Sequence, residues 1–279
     1  MDIRNALAGS NFKFNKKYGQ NFIQDDRILN GIVEAAEVSA SDNVLEIGVG
    51  AGTLTRALSS KAAYVYGYEI DRNLQPVLSK TLAGVDNCLV IFRDFMRESM
   101  QEVEKTIKGE YIVVANLPYY ITSPIVMKLI EQSTHCKRIV VMVQKEVALR
   151  LCAKEGTADY GAITCAVDVT GDASIVMEVG RENFYPAPNV DSAVVRIDIR
   201  KDKYEPIDRV AFREVVRCAF SSRRKTFVNN LMNEFKLTRE DAEGLSDRIG
   251  VDKKARGETL STAKFVELSN IMKSSGLLS

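Results

Sequence analysis

A repeated alternation of short apolar segments and helix-length segments, between about Asn43 and Gln144, constrains the fold more than any other feature of this sequence. The apolar segments are rich in valine and isoleucine, which is typical of strands buried on both faces of a sheet. They are Val44–Ile47, Ala63–Tyr68, Cys88–Phe92, Tyr111–Ala115 and Ile139–Val143. The pattern predicts an α/β fold with a Rossmann-like, doubly wound and mostly parallel sheet.

Two further strands are predicted beyond this region, at Ser174–Val179 and Val190–Ile199. The second alternates apolar and polar residues, as a half-buried strand does: Ala193, Val195, Ile197 and Ile199 alternate with Ser192, Val194, Arg196 and Asp198. We expect the two strands to pair as an antiparallel hairpin at the edge of the sheet.

The sequence is predicted to contain three parts. Residues 1–24 form a basic N-terminal segment, residues 25–205 the α/β domain, and residues 206–279 a small all-helical C-terminal domain. One helix of the third part carries apolar residues spaced every four positions, at Phe227, Leu231 and Phe235.

The composition excludes several classes of protein. Hydrophobic residues make up 46% and charged residues 27% of the chain, which is ordinary for a globular protein. No apolar run approaches the ~20 residues that cross a bilayer, and the first residues lack a signal-peptide core. The five cysteines are scattered and form no C-x-x-C pair, which argues against a disulfide framework and a zinc site. We expect a cytoplasmic monomer that contacts no membrane and binds no metal.

The charges are distributed unevenly along the chain, although its net charge is only +1. Residues 1–24 carry four basic residues against Asp2, and residues 206–279 carry 14 basic and 10 acidic residues, so the middle is acidic. Basic ends around an acidic middle are able to hold a polyanion beside a pocket. Ordinary solvated charges are the alternative interpretation.

A glycine-rich loop, Glu46–Gly52 (EIGVGAG), follows the first strand and precedes a helix. Such a loop lets the backbone approach a ligand, and the helix that follows favours an anionic group. Glu69 ends the second strand, 21 residues after Gly48, where an acidic residue holds two ribose hydroxyls. A dinucleotide enzyme prefers G-x-G-x-x-G, whereas E-x-G-x-G-x-G resembles the S-adenosylmethionine loop; the glycine spacing leaves both cofactors open.

Asp94 follows the third strand of the predicted sheet. An aspartate at this place is able to accept a hydrogen bond from the exocyclic amine of adenine. A helix N-cap is an equally good interpretation of this residue taken singly.

The fourth strand ends in Asn116-Leu117-Pro118-Tyr119, and this tetrapeptide decides between the two cofactors. An exocyclic base amine is a poor nucleophile because its lone pair is delocalised into the ring. Acceptors directed at both N–H bonds favour a more tetrahedral nitrogen and take up charge as a bond to methyl forms. Asn116 supplies one acceptor from its side chain, and Leu117 supplies the other from its carbonyl. Pro118 stiffens the turn, and Tyr119 offers a flat face for a base, although a plain β-turn is the alternative.

Four further segments extend the pattern over nearly the whole chain: Tyr18–Ile23 (YGQNFI), Phe184–Arg196 (FYPAPNVDSAVVR), Ala219–Thr226 (AFSSRRKT) and Arg256–Ser261 (RGETLS). Together with the motifs above they resemble the KsgA-type small-subunit ribosomal RNA adenine dimethyltransferases. The last two segments are similar to the C-terminal domain that separates this family from the large-subunit rRNA adenine methylases. The resemblance implies a class I methyltransferase fold with S-adenosyl-L-methionine as cofactor.

The resemblance also implies roles for individual residues. Cofactor-binding roles fall on Asn21, Ile23, Gly48, Gly50, Glu69, Asp94 and Asn116. Roles at the target base fall on Asn116, Leu117, Pro118, Tyr119 and Phe184, of which Phe184 covers the second face of a flipped adenine. RNA phosphates are expected to contact two basic clusters, Lys13, Lys16 and Lys17 in the N-terminal segment and Arg223, Arg224 and Lys225 in the helical domain. Ile23 and Val49 depart from the usual leucine and proline without removing a polar contact.

The implied reaction transfers methyl groups from S-adenosylmethionine to two adjacent adenosines near the 3′ end of small-subunit rRNA, giving N6,N6-dimethyladenosine. The implied partner is small-subunit rRNA or a ribosomal assembly intermediate. Three alternatives stay open on the sequence: a large-subunit rRNA methylase, a non-catalytic nucleic-acid-binding protein on the same fold, and a nicotinamide-dependent dehydrogenase. The dehydrogenase would leave the tetrapeptide at residues 116–119 without a role.

Overall fold

The computed structural model describes Gly19, residues 21–23, 25–200, 203–204 and 208–278. The strands in these residues are β1 (Phe22–Ile23), β2 (Asn43–Ile47), β3 (Tyr64–Glu69), β4 (Cys88–Phe92), β5 (Tyr111–Asn116), β6 (Cys136–Gln144), β7 (Gly171–Val179), β8 (Phe184–Tyr185) and β9 (Ser192–Ile199). The helices are α1 (Asp26–Ala35), α2 (Thr53–Ser59), α3 (Gln75–Thr81), α4 (Met100–Ile107), α5 (Thr122–Gln132), α6 (Lys145–Leu151), α7 (Ala162–Asp168), α8 (Arg209–Phe220), α9 (Phe227–Phe235), α10 (Arg239–Arg248) and α11 (Thr262–Ser274).

The main sheet has seven strands in the order β4-β3-β2-β5-β6-β9-β7. The strands from β4 to β6 pair in parallel, and β9 pairs antiparallel with β6. Helices connect the parallel strands, as right-handed crossover connections require. The predicted doubly wound and mostly parallel sheet is confirmed, with all five predicted strands present.

The two later strands, β7 and β9, are neighbours in this sheet, as expected, with β7 at its end. The prediction that β9 is half-buried is wrong for its first half, because Ser192 and Val194 are fully buried together with Ala193 and Val195. β9 lies between β6 and β7 rather than at an edge, and its first four residues are buried on whichever face of the sheet they lie. β4 is less buried than predicted. It was expected to be buried on both faces, but it is an edge strand, and its Leu89 is 43% exposed.

A small second sheet joins β1 to β8 in antiparallel fashion, with Phe22 opposite Tyr185 and Ile23 opposite Phe184. Strands of two residues carry no periodicity, so the sequence analysis did not find them. This pairing holds residues 21–23 against the loop that precedes β9.

The described chain divides into two compact units. The first contains the described residues up to Ala148 together with Ala173–Ile199, and the second contains Leu149–Asp172 together with the described residues from Arg200 onward. The division after Ile199 lies close to the predicted boundary at residue 205. Residues 149–172 differ from the prediction: their apolar side chains Tyr160, Cys165 and Val169 share one core with α8, α9 and α11.

The core of the second unit is formed by helices, and the predicted apolar stripe of α9 faces it. Phe227 and Leu231 are fully buried and Phe235 is partly buried against the same cluster. Asn230 lies between them and is also buried; its amide donates to the carbonyl of Ala219 at 3.0 Å and to that of Ser222 at 3.2 Å. One buried side chain therefore fixes the turn between α8 and α9.

Replacing Asn230 by alanine is expected to lower the free energy of unfolding by about 1–3 kcal/mol, because two buried carbonyls lose their donor. Chemical denaturation measures the change. Asn233→Ala is the matched control, since Asn233 is exposed and bonds only the Asn229 carbonyl of its own helix; its effect should stay within about 0.5 kcal/mol. Equal effects of the two substitutions would contradict this role of Asn230.

Candidate active site

A cavity opens in the first unit at the carboxyl ends of the parallel strands. β2 lies between β3 and β5, so the chain order reverses there, and open α/β sheets bind ligands at such a switch point. The lining residues come from the ends of β2, β3, β4 and β5 and from β1: Gly19, Asn21, Phe22, Ile47, Gly48, Gly50, Tyr68, Glu69, Ile70, Leu74, Arg93, Asp94, Phe95, Met96, Asn116, Leu117, Pro118, Tyr119, Tyr120, Ile121 and Ile125.

The glycine loop forms one wall of this cavity. Gly48 and Gly50 have φ angles of +80° and +58°, which side chains rarely adopt. A Cβ at Gly50 would lie 3.0 Å from the Phe22 ring, and one at Gly48 would lie 3.6 Å from the Asn116 carbonyl oxygen. A side chain at either position would fill space that the cavity needs.

Glu69 lies between the glycine loop and the end of β3. One carboxylate oxygen accepts the Gly50 N–H at 2.8 Å and the other accepts the Asp71 N–H at 2.7 Å. Burial raises the pKa of Glu69, and the two backbone donors oppose that effect. Each carboxylate oxygen keeps further lone-pair capacity, so a carboxylate oriented in this way is able to accept from two vicinal hydroxyls.

Asp94 is a helix cap, and it also lies at the cavity. Its carboxylate accepts the Met96 N–H at 3.0 Å and so caps a short 3₁₀ turn, Phe95–Arg97, and the residue also lines the cavity. Phe95 and Met96 contribute apolar surface beside it. The combination suits a flat aromatic ring that carries an amine at its edge.

Lys128 anchors this segment from α5 and was not found by sequence analysis. Its buried ammonium donates to the carbonyls of Phe95 (2.7 Å), Met96 (3.3 Å) and Glu98 (2.5 Å). It also lies 4.7 Å from the centre of the Phe95 ring. Burial lowers the pKa of Lys128. A lysine on an amphipathic helix gives no sequence signal for this role, because such residues are usually solvated.

Asn116 is the last residue of β5, and its side chain is held by a hydrogen bond to the backbone of Asn21, which precedes β1. The Asn116 amide nitrogen donates to the Asn21 carbonyl at 3.0 Å, and the Asn21 amide donates to the Gly19 carbonyl at 3.2 Å. With the nitrogen committed to Asn21, the Asn116 side-chain oxygen is left as an acceptor at the cavity.

The rest of the tetrapeptide is held by hydrogen bonds at both ends. The Leu117 N–H donates to the Met142 carbonyl of β6 at 3.2 Å, and the Pro118 carbonyl accepts the Ile121 N–H at 3.1 Å. The Tyr119 hydroxyl shares a hydrogen bond of 2.7 Å with the Ser192 hydroxyl of β9. Burial raises the pKa of Tyr119. The turn is therefore rigid, and the directions of its carbonyls and rings are set by β6 and β9.

Two of the predicted site residues do not line the cavity. Ile23 and Phe184 are 3% exposed and pack together in the hydrophobic core, whereas the neighbouring Phe22 lines the cavity. The family resemblance implied a cofactor contact for Ile23. Adjacent residues of a strand point in opposite directions, and the Ile23 side chain is the one that packs in the core. A role for Phe184 at the base stays a prediction that this position of its side chain does not support.

The other predicted residues at the site, Asn21, Gly48, Gly50, Glu69, Asp94, Asn116, Leu117, Pro118 and Tyr119, all line the cavity. The sequence analysis missed much of the apolar lining, including Phe22, Ile70, Leu74, Met96 and Ile125. Such residues are indistinguishable from core residues in a sequence.

The predicted RNA-binding residues are placed only in part. Lys13, Lys16 and Lys17 lie outside the described residues. Arg223 is exposed, but its guanidinium donates to the backbone carbonyls of Ala158 (3.1 Å) and Tyr160 (2.6 Å), so it holds the chain of the second unit together. Arg224 and Lys225 are exposed in the same turn.

Glu46, the acidic residue of the glycine-loop motif, is fully buried beneath that loop. Among the described residues, no group lies in hydrogen-bonding geometry with either carboxyl oxygen. Burial raises the pKa of Glu46 to about 8; the nearby Thr55 hydroxyl opposes this shift and the charge of Glu69 adds to it. Burial without a hydrogen-bonding partner therefore favours the neutral form of this carboxyl group.

A family model described as ribosomal RNA adenine dimethylase matches residues 11–274. This chain belongs to the ribosomal RNA adenine dimethylase family. Curated relatives named ribosomal RNA small subunit methyltransferase A include one from Geobacillus thermodenitrificans, 44% identical over 278 residues (96% of this chain, 94% of the relative). A second, from Clostridioides difficile, is 44% identical over 265 residues (94% of this chain, 92% of the relative).

Two solved structures are similar to this chain over nearly its whole length. A dimethyladenosine transferase from Plasmodium falciparum aligns with a TM-score of 0.78 at 26% identity, over 91% of this chain and 98% of that one. The 23S rRNA methyltransferase ErmE aligns with a TM-score of 0.70 at 28% identity, over 91% of this chain and 100% of that one. The predicted class I methyltransferase fold is confirmed.

Within the described ranges, no three His, Cys, Asp or Glu side chains form a group able to hold a metal ion. In the same residues no helix has the length and apolar character needed to cross a membrane.

The buried Glu46 predicts a pH-dependent stability. Its pKa in the folded state lies near 8, above that of the unfolded chain, so its contribution to stability is complete at about pH 4 and is lost as the pH rises toward 8. The loss reaches at most about 1.4 kcal/mol per pH unit for this one proton. Glu46→Gln, which mimics the neutral acid, should remove this slope and be the more stable protein above pH 8. Denaturation curves between pH 5 and 9 provide the measurement; parallel profiles for the two proteins would refute the assignment.

Lys128→Met is expected to loosen the segment that carries Asp94, since three carbonyls lose their shared donor. We expect S-adenosylmethionine to bind about tenfold more weakly, which corresponds to ~1.4 kcal/mol, in titration calorimetry. Lys105→Met is the control: Lys105 is exposed and pairs only with Glu102 on α4. Unchanged cofactor affinity in the Lys128 variant would show that the tether is dispensable.

Proposed function

We propose that this protein transfers methyl groups from S-adenosyl-L-methionine to the N6 amine of two adjacent adenosines near the 3′ end of small-subunit rRNA, giving N6,N6-dimethyladenosine. The observation that carries the proposal is Asn116. Asn116 lines the cavity next to the Leu117–Tyr119 turn, and its amide nitrogen is committed to the Asn21 carbonyl, which leaves the side-chain oxygen as its acceptor. Membership of the rRNA adenine dimethylase family supplies the substrate class.

The residues at the cavity fit the proposed cofactor. Gly48 and Gly50 leave room that a Cβ would take, which suits the methionine part. Glu69 presents a carboxylate for the ribose hydroxyls, and Asp94, between apolar neighbours, presents an acceptor for the adenine amine. When bound, the cofactor supplies an electrophilic methyl group on a sulfonium.

The residues of the chain act on the target amine. Asn116 accepts one N–H of the adenine amine through its side-chain oxygen, and the Leu117 carbonyl accepts the other. Both acceptors stabilise the positive charge that grows on nitrogen as the bond to carbon forms. Tyr119, held by Ser192, provides an aromatic face for the base. Because these groups are already positioned by hydrogen bonds to Asn21, Met142 and Ser192, little reorganisation is needed during the reaction.

The RNA has to deliver an unstacked adenine to this turn, at a cost of a few kcal/mol. We propose that phosphate contacts offset this cost, with Arg224 and Lys225 in the second unit and Lys13, Lys16 and Lys17 in the N-terminal segment as contact residues. Arg223 contributes mainly by shaping its turn, since its guanidinium bonds two backbone carbonyls. The proposed partner is the small ribosomal subunit or its assembly intermediate, in the cytoplasm, and we propose that the enzyme acts as a monomer.

The decisive experiment incubates the protein with radiolabelled S-adenosylmethionine and undermethylated small ribosomal subunits and identifies the modified nucleoside. We expect dimethyladenosine, and we expect Asn116→Ala to lower the rate about 100- to 1000-fold because an acceptor at the developing charge is lost. Asn233→Ala, distant in sequence and exposed, should retain the parental rate.

The large-subunit RNA is the second candidate substrate, favoured by the structural likeness to the 23S rRNA methyltransferase ErmE. The same assay with isolated large subunits tests it directly. Label in large-subunit RNA and none in small-subunit RNA would overturn the proposed substrate while leaving the reaction chemistry in place.

A further inference from the structure

A fully buried carboxyl group, that of Glu46, lies beneath the glycine loop and takes no part in the proposed reaction. Neither of its oxygens has a hydrogen-bond partner in the described part of the chain. Glu46 also does not line the cavity. Burying a polar group without a partner costs free energy, so packing of the protein alone does not explain a carboxyl group at this position.

The titratable groups that interact with Glu46 are a second acid and a thiol. Burial raises the pKa of Glu46 to about 8, and the charge of Glu69 on β3 adds to this effect. Burial also raises the pKa of the Cys88 thiol on β4, and the charge of Glu46 contributes to that shift. Glu69 accepts hydrogen bonds from the Gly50 and Asp71 N–H groups, whereas Glu46 has no such donor. Glu46 is therefore the member of this acid pair that more readily holds a proton.

The described elements that pack around Glu46 offer it no cation. In the sheet it stands opposite Gly67 of β3 and Val114 of β5, which carry no charge. α2 contributes the neutral Thr55 hydroxyl, and the one cation of that helix, Arg56, is exposed and donates to two backbone carbonyls. A cationic ligand in the cavity would supply the missing charge. The charged residues of α1, which shares a core with α2, are also exposed: Asp26, Arg27 and Glu34.

The proposed cofactor and its product differ by one positive charge. S-adenosylmethionine carries a sulfonium, and S-adenosylhomocysteine carries an uncharged thioether at the same atom. Gly48, which we propose to lie against the methionine part, is two residues from Glu46, so their Cα atoms are at most about 7 Å apart. A unit charge on the order of 10 Å away shifts the ionisation of an acid about tenfold at an effective dielectric constant of about 20. A sulfonium bound over Gly48 is therefore able to act on Glu46 without touching it.

We propose that Glu46 loses its proton when S-adenosylmethionine binds and regains it after the methyl transfer, and that it thereby distinguishes the sulfonium cofactor from the thioether product. The inference rests on the proposed function for the identity of the cofactor but not for that of the RNA. On cofactor binding the carboxyl O–H bond breaks, the electron pair stays on oxygen and the proton passes to solvent. Once the methyl group has left, the positive charge at sulfur is gone and the carboxylate takes up a proton again.

This linkage fixes the sign of a pH effect on binding. The carboxylate form of Glu46 attracts the sulfonium and is favoured as the pH rises through the pKa of the group. The affinity for S-adenosylmethionine relative to S-adenosylhomocysteine should therefore rise with pH by up to about tenfold in the parent, as the coupling above implies. Glu46→Gln carries no charge at either pH and should lack this contribution.

Titration calorimetry in buffers of different ionisation enthalpy counts the protons released on binding. The parent and Glu46→Gln are compared with S-adenosylmethionine, with S-adenosylhomocysteine, and with sinefungin, which carries an ammonium group in place of the sulfonium. For tenfold coupling, the parent should release about half a proton more than the variant, at the most favourable pH, with the two cationic ligands. It should release no more than the variant with S-adenosylhomocysteine. Proton exchange at the amino acid part of each ligand is common to both proteins and cancels.

Glu34→Gln is the matched control, because it makes the same substitution at an exposed position of α1. It should release as many protons as the parent with every ligand. An excess that is equal for S-adenosylmethionine and S-adenosylhomocysteine, or that is absent for all ligands that bind, would overturn the role of Glu46 and leave the proposed function standing. Failure of all three ligands to bind would overturn the proposed function, and the inference with it.

Difference infrared spectroscopy tests the parent without a substitution. A protonated carboxyl group and a carboxylate absorb at different frequencies, so loss of the proton removes one band and adds another. S-adenosylmethionine should remove a protonated-carboxyl band that persists with S-adenosylhomocysteine, and this band should be missing from Glu46→Gln. Identical carboxyl bands with the two ligands would show that Glu46 does not respond to the charge at sulfur.

Discussion

The parallel pairing of β2 with β3 on one side and β5 on the other is the constraint on which the site depends. Parallel strands end at one edge of the sheet, and the glycine loop, Glu69 and Asn116 each follow directly from one of these ends. Hydrogen bonds then join the glycine loop to the end of β3: the Gly48 N–H donates to the Tyr68 carbonyl at 2.8 Å, and the Gly50 N–H donates to the Glu69 carboxylate. Asn116 is held separately, through its bond to the Asn21 carbonyl. The sheet and these additional hydrogen bonds preorganise the site, which is the arrangement that favours a charged transition state.

Groups behind the cavity surface keep this arrangement in place. Lys128 holds the Asp94 segment through three carbonyls, Ser192 holds Tyr119, and Asn21 holds Asn116. Glu46 lies beneath the loop, where burial raises its pKa and favours the uncharged form close to Glu69. A methyl transfer of the proposed kind needs positioned acceptors rather than a nucleophile or a proton shuttle, and the side chains around this cavity supply acceptors.

Much of the site was predictable from the sequence because its polar residues follow strands with a strong apolar pattern. Glu69, Asp94 and Asn116 are found by counting from these strands, without knowledge of any distant contact. Phe22 and Ile23 show where this reasoning fails. Consecutive residues of a strand point to opposite sides, and only the register of β1 on β8 decides that Phe22 lines the cavity while Ile23 joins the core. Residues 149–172 were predicted to belong to the α/β domain, but Tyr160 and Cys165 share a core with α8 to α11. These partners are distant in sequence, so local spacing does not reveal them.

The sequence by itself determined where the strands of the α/β sheet lie along the chain, together with the glycine loop, the acidic residues at the strand ends and the Asn116–Tyr119 turn, because each is encoded by local spacing. The family followed from the same motifs. Tertiary structure decided which of two adjacent residues in β1 faces the cavity, and it decided that Phe184 is buried whereas Tyr120 is exposed. It also decided two sets of hydrogen bonds to backbone carbonyls, those of Arg223 and those by which Lys128 supports the Asp94 segment. These properties depend on contacts between residues far apart in the chain, and burial and hydrogen-bond partners of that kind have no signature in local sequence.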